Sequence, residues 1–155
     1  MKKLLALLLV VMTVFAFAAC SPNKNAEVDE GSVTVVEYVA DGDDIEYEVD
    51  LAKVENATSL FDVLTYLKNE KSLTFEYSGE GESTFCTAFG SLSQDTATNT
   101  YLYLYTSVES DFDVTQFAQT KTYKGINLVS SGVGVTQMKL EDGAVYYIGL
   151  FVYTF

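Results

Sequence analysis

Cysteine and clustered carboxylates are the residue types in this sequence that are best suited to chemistry. A cysteine becomes a nucleophile as a thiolate, which needs a base or a positive neighbour that lowers the thiol pKa. Cys86 lies in the apolar segment Thr84–Phe89, TFCTAF, and the chain has no His and no Arg. We therefore expect Cys86 to be a small buried hydrophobe in a strand, and not a catalytic residue.

The carboxylates cluster at Asp41–Asp44, at Asp111 with Asp113, and at Glu141 with Asp142. Carboxylates are good ligands for hard cations, but the twelve-residue calcium loop with its distal Glu is absent. We interpret the clusters as solvated turns and predict no metal site, with divalent cation binding as the alternative. No spacing singles out a carboxylate pair for acid–base chemistry, so we predict a protein that is not an enzyme.

Cys20 lies at the end of an export signal. Two lysines precede a long apolar run that only Thr13 interrupts, which predicts a signal peptide over residues 1–19. Phe17-Ala18-Ala19-Cys20 resembles a bacterial lipobox, with Phe17 where Leu is usual. We predict cleavage between Ala19 and Cys20 and acylation of Cys20, which would anchor the protein to the membrane. Ordinary secretion with cleavage near Ala19 is the alternative.

The charge of the mature chain limits its partners. Removal of residues 1–19 leaves seven lysines against all 22 acidic residues, a formal net charge of −15. Nucleic-acid binding depends on Lys and Arg that displace counterions, so nucleic acid is excluded as a partner and anionic ligands are disfavoured. Residues 20–31 are polar and contain the single proline, which predicts a flexible tether. We expect a domain over residues 32–155 at the extracytoplasmic face of the cell membrane.

Thr58–Lys71, TSLFDVLTYLKNEK, is the segment with the clearest helical pattern. Ser59 followed by Asp62 is typical of a capping box. The apolar positions recur at helical spacing and predict one buried stripe, which consists of Leu60, Val63, Leu64 and Leu67. The remaining segments alternate in the manner of strands. We predict an α+β fold that is β-grasp-like, with a mainly antiparallel or mixed sheet packed on a single helix at about Ser59–Lys71.

The strand predictions rest on alternating hydrophobicity. The predicted strands are Ser32–Ala40, Ile45–Leu51, Leu73–Ser78 with Leu73, Phe75 and Tyr77 facing inward, Thr84–Phe89, Tyr101–Tyr105, Lys121–Ser130, and Ala144–Phe155 in the sheet interior. Tyr101–Tyr105, YLYLY, is apolar on both faces. We expect it to be a central strand that is covered on both sides, because such strands are usually buried. The alternative is that its tyrosine face forms an exposed platform.

Three segments resemble a known family, the transcobalamin-like C-terminal domain, which is found in many bacterial lipoproteins. Thr58–Leu64, TSLFDVL, resembles its helix start, Tyr101–Ser107, YLYLYTS, its aromatic strand, and Leu140–Tyr147, LEDGAVYY, its ending. The resemblance covers roughly residues 33–155. Two departures are that Tyr101 stands where the family usually has Trp, and that Thr106-Ser107 replaces its Asn-Gly. The resemblance implies a β-grasp domain that forms one half of a clamp around a corrinoid.

These observations lead to two functional hypotheses. The first is a surface-anchored small-molecule binding module that captures a ligand, such as a cobalamin-like corrinoid, for a transporter and requires no cofactor. Tyrosines stack on flat ligands and orient them through their hydroxyls. The predicted ligand-binding residues are Tyr101, Tyr103, Tyr105, Ser130 and Ser131. The alternative is an extracellular structural or protein-interaction module of the adhesion type, with a surface-protein partner and no small-molecule ligand.

The lipid anchor can be tested with the two cysteines as a matched pair. Cys20→Ala should abolish incorporation of labelled palmitate, because it removes the thiol that is acylated, whereas Cys86→Ala should leave the label unchanged. The measurement is fluorography of the chain after metabolic labelling. Label that persists in Cys20→Ala would contradict the lipoprotein hypothesis.

Overall fold

The computed structural model describes residues 25–154. The predicted signal peptide and Cys20 lie outside the described residues. Within them the fold is α+β, with nine strands in two sheets and one α-helix, so the predicted fold class is confirmed. The helices of this part of the chain are too short or too polar to cross a membrane.

The strands and the helix follow the predicted order with several additions. The strands are β1 (Ser32–Glu37), β2 (Ile45–Asp50), β3 (Phe75–Ser78), β4 (Phe85–Phe89), β5 (Leu92–Ser93), β6 (Thr100–Thr106), β7 (Thr120–Tyr123), β8 (Ile126–Ser130) and β9 (Val145–Val152), and the helix is α1 (Leu60–Lys71). Short 3₁₀ turns occupy Leu51–Lys53, Gly81–Ser83 and Glu109–Asp111.

The main sheet has the strand order β2-β1-β9-β6-β8-β7. Strands β1 and β2 form the predicted hairpin, β1 runs parallel to β9, and the other neighbours are antiparallel. The C-terminal strand β9 lies between β1 and β6, which confirms its interior position. Its first five residues, Val145–Gly149, are buried on both faces, which suits their β-branched and aromatic side chains, whereas Leu150 and Val152 are exposed.

Helix α1 begins and packs as the sequence predicts. The Asp62 carboxylate accepts hydrogen bonds from the backbone N–H groups of Thr58 and Ser59, each at 2.9 Å, so two otherwise unpaired donors at the helix start are satisfied. The helix ends at Ser72, which adopts the left-handed conformation. The buried residues of the helix are Leu60, Val63, Leu64 and Leu67, the predicted stripe.

A second sheet of three strands, β3-β4-β5, packs with α1 against the same face of the main sheet. The prediction that Tyr77 faces inward was wrong, because its side chain is 51% exposed. A register shift between Glu76 and Tyr77 breaks the alternation that starts at the buried Phe75. The prediction of inward-facing residues assumed an unbroken strand, and a bulge is invisible to simple alternation.

The predicted single strand Lys121–Ser130 is the hairpin β7-β8. Lys124 and Gly125 form its turn, with φ angles of 46° and 83°. Two successive positive φ angles match a two-residue hairpin turn, which glycine favours at its second position. The turn was missed because lysine is a weak signal for the left-handed conformation.

Strand β6 has two different faces. Leu102 and Leu104 face the main core, and Leu102 is 8% exposed. Tyr101, Tyr103 and Tyr105 lie on the opposite face and are only half-buried. The prediction that β6 is covered on both sides therefore holds for the leucine face alone, because the tyrosine rings rest mainly on one another and on rings of β9.

The described end of the predicted tether lies against the domain. The backbone N–H of Val28 donates to the Ala57 carbonyl at 2.7 Å, and the Asn25 side chain donates to the Gln137 carbonyl at 3.1 Å. The Gly31 carbonyl accepts from the Leu51 N–H at 3.0 Å. The domain therefore begins before residue 32, because these three hydrogen bonds tie residues 25–31 to it.

Leu64→Asp should unfold the domain, because it places a carboxylate without a partner in the core beneath α1. We expect the free energy of unfolding to fall by more than about 3 kcal/mol. Asn69→Asp introduces the same residue at an exposed position of the helix and serves as the control. Circular dichroism during thermal unfolding gives the measurement. Equal melting temperatures for the two variants would contradict the packing of α1.

Candidate functional site

The candidate site arises where two neighbouring strands separate. Asp95 and Thr100 exchange two backbone hydrogen bonds, of 2.8 and 2.9 Å, at the turn between β5 and β6. Before this pair, β5 joins β4, and the Gln94 N–H donates to the Thr87 carbonyl at 3.0 Å. After it, β6 joins β9 along its whole length. The two strands therefore diverge and leave a cleft between them.

One edge of β6 is unpaired beside this cleft. The N–H and C=O groups of a strand point alternately to its two sides, so Leu102 and Leu104 direct theirs to the same side as Thr100, away from β9. The Leu104 carbonyl accepts from the Ser131 N–H at 2.8 Å, which confirms this direction. Within residues 25–154, no backbone or side-chain group bonds to Leu102 on this side.

The cleft is a cavity of about 550 Å³ next to the unpaired edge. This volume lies within the range of sites that bind small molecules. The lining residues come from β4, β6, three loops and the segment after β9, and they are Glu82, Phe85, Cys86, Gln94, Tyr101, Leu102, Tyr103, Leu104, Ser131, Gly132, Val133, Gly134, Gln137 and Tyr153. Glu82 is the charged residue of this lining, so the described cleft has acidic character.

The loop Ser131–Gly134 forms one wall of the cleft. The Ser131 hydroxyl donates to the Val133 carbonyl at 2.9 Å and accepts from the Val133 N–H at 3.2 Å, so it fixes the loop conformation. A Cβ atom at Gly134 would approach the carbonyl oxygens of Glu82 and Thr84 to 2.7 Å. Glycine therefore permits the close contact that brings this loop against the start of β4.

Aromatic rings form the opposite wall and continue over the outer face of the sheet. The centroid of the Tyr103 ring lies 5.1 Å from that of Phe151 and 5.5 Å from that of Tyr105, and the Tyr101 and Tyr153 centroids are 5.6 Å apart. Burial is the main cause that raises the pKa of Tyr103. Hydrogen bonds with Ser130 and Tyr153 also act on this pKa, so the hydroxyl already has partners within the protein.

The structure brings three of the five predicted ligand-binding residues together, namely Tyr101, Tyr103 and Ser131. Tyr105 lies outside the lining and packs on Tyr103 and Tyr147. Ser130 is buried, and its hydroxyl accepts from the Gln119 N–H at 2.9 Å, which commits that oxygen to the chain itself.

Sequence reasoning missed the lining residues from β4 and from the connecting loops. Phe85 is 59% exposed although it lies in an apolar strand, and Gln94 and Gln137 lie in segments for which the sequence predicts neither a strand nor a helix. An exposed phenylalanine next to convergent amides is a useful sign of a binding site, but exposure is not readable from alternation.

The interpretation of the acidic clusters as solvated turns was wrong for Asp111, which is buried, and one carboxylate of each cluster bonds to a group of the protein. Asp44 accepts a hydrogen bond from the Tyr147 hydroxyl at 3.0 Å, Asp111 from the Lys139 N–H at 2.7 Å, and Asp142 from the Ser32 N–H at 2.9 Å. The described part of the chain holds no group of three or more His, Cys, Asp or Glu side chains suited to a metal ion.

No protein family model matches the sequence, and no curated protein sequence is similar to it. The fold is similar to a crystal structure from Ruminococcus gnavus ATCC 29149 described as a "putative metal binding protein". The TM-score is 0.53 at 18% sequence identity, and the alignment covers 81% of this chain and all of the other. This likeness concerns the fold alone. The resemblance to the transcobalamin-like domain stays a prediction.

Cys86 should be inert although it lines the cleft. It is 4% exposed, and burial raises the pKa of its thiol to about 12, so roughly one thiol in ten thousand is ionised at about pH 8. In a Cys20→Ala background, iodoacetamide should leave the folded chain unmodified and alkylate it in guanidinium. Mass spectrometry gives the measurement, and rapid alkylation of the folded chain would contradict this assignment.

Proposed function

We propose that this protein is a lipid-anchored, extracytoplasmic binding module that captures a small molecule without catalysis. The observation that carries the proposal is the cleft beside β6, which gathers Tyr101, Tyr103 and Ser131 around about 550 Å³. Its lining combines apolar and aromatic surface with a few convergent polar groups, the usual composition of a ligand site. The predicted acylation of Cys20 would hold the site at the membrane surface, where cargo can pass to a transporter.

The electrostatics of the cleft favour neutral or cationic ligands. The charged residue in the described lining is the acidic Glu82, and the whole chain has a formal net charge of −13. An anionic ligand would find neither a cation in this lining nor an attractive field around it. A hydroxyl- or amide-bearing ligand can instead bond to the side-chain amides of Gln94 and Gln137.

A cobalamin-like corrinoid is the first candidate ligand, on the basis of the sequence resemblance to the transcobalamin-like domain. Its flat macrocycle suits stacking on Tyr101, and its peripheral amides suit the polar groups of the lining. A cleft of this volume would enclose only part of a corrinoid. The rest would remain outside, available to a transporter or a second domain.

Binding can be tested with the full chain purified in detergent and mixed with cobalamin or cobinamide. The corrinoid absorbance should elute with the protein in gel filtration. Tyr101→Ala should weaken binding about tenfold through the loss of one stacking contact, whereas Tyr77→Ala, an exposed tyrosine outside the cleft, should not. A colourless protein peak without a thermal shift would contradict corrinoid capture.

A further inference from the structure

We propose that the cleft binds an extended peptide segment that pairs with the open edge of β6 and carries alternating apolar and basic side chains. This inference names a ligand class for the cleft and rests on the proposed binding function. It starts from the backbone N–H and C=O groups of β6, which point in fixed directions.

The N–H and C=O groups of Leu102 supply the pairing sites. Both point into the cleft, and no group in residues 25–154 bonds to them. A strand partner would satisfy this donor and this acceptor at once. An extended peptide presents a matching N–H and C=O at every second residue.

The length of the open edge matches a short strand. It is bounded by the Asp95–Thr100 hydrogen bonds at one end and by the Ser131–Leu104 hydrogen bond at the other. The positions opposite Thr100 and Leu104 are already taken by Asp95 and Ser131, so the open edge consists of the three residues Tyr101–Tyr103, about 7 Å of strand. An extended peptide therefore pairs with this gap through about three of its residues.

The exposure of the edge also needs an explanation. Proteins usually protect an unpaired strand edge with Lys, Pro or a bulge, because such an edge invites aggregation. The open part of β6, Tyr101–Tyr103, has none of these. Its protection comes instead from the walls of the cleft, Phe85 on β4 and the loop Ser131–Gly134, which flank it.

The side-chain chemistry of the lining selects the peptide. Phe85, Val133 and the leucines of β6 offer apolar contacts for one set of side chains. Glu82 in the lining and the negative net charge of the chain favour lysine or arginine in the other set and disfavour acidic residues. A peptide that alternates Val and Lys meets both requirements.

The test uses the full chain in detergent and fluorescein-labelled Val-Lys-Val-Lys-Val, followed by fluorescence anisotropy. Two N-methylated forms of the peptide, one methylated at the backbone nitrogens of Val and the other at those of Lys, serve as probes of strand pairing. In an extended peptide the Val and Lys N–H groups point to opposite edges, so only one of the two sets can bond to β6. We expect one form to bind about tenfold more weakly than the other, as the loss of one or two net hydrogen bonds implies. No binding of the parent peptide, or equal affinities of the two methylated forms, would overturn the inference.

Variants of the protein locate the contact. Phe85→Ala and Glu82→Gln should each lower the affinity for the parent peptide several-fold. The controls Phe117→Ala and Glu80→Gln change exposed residues outside the cleft and should leave this affinity unchanged. Equal effects of the cleft and control variants would overturn the proposed location.

The corrinoid experiment separates this inference from the proposed function. If Tyr101→Ala weakens corrinoid binding and the peptide does not bind, only the peptide inference is contradicted. Loss of both would contradict the cleft as a binding site. Peptide binding that excess cobalamin displaces would support a single shared site.

Discussion

The separation of β5 from β6 is the constraint on which the rest of the site depends. The two strands meet at the paired backbones of Asp95 and Thr100 and then join different sheets, β5 with β4 and β6 with β9. Both sheets must reach the apolar stripe of α1, so the strands cannot stay together. The cleft is the space that this arrangement leaves open.

The neighbouring elements keep the cleft open without filling it. Strand β8 pairs with β6 only at Tyr105 and Thr106, and the chain then turns away after one more hydrogen bond, from Ser131 to Leu104. The following loop is held against the start of β4, where the Val135 N–H donates to the Thr84 carbonyl at 3.1 Å. Gly134 makes this contact sterically feasible. The site is therefore shaped by backbone pairing, with its side chains as lining.

The sequence predicts what is set by local patterns and misses what is set by distant pairing. The capping residues and apolar spacing of α1 are local, as is the alternation of β2, and both agree with the structure. The bulge at Tyr77 and the turn at Lys124 and Gly125 depend on backbone geometry that alternation does not show. The unpaired edge at Leu102 depends on which strands become its neighbours, and these come from residues far along the chain.

The open edge of β6 is the central claim, and amide hydrogen exchange measured by NMR on the ligand-free chain tests it most directly. The Tyr101 and Tyr103 amides bond to β9 and should exchange slowly, while the unbonded Leu102 amide between them should exchange at least about a hundredfold faster. Exchange at Leu102 as slow as at its two neighbours would show that the edge is already paired, and would contradict the account.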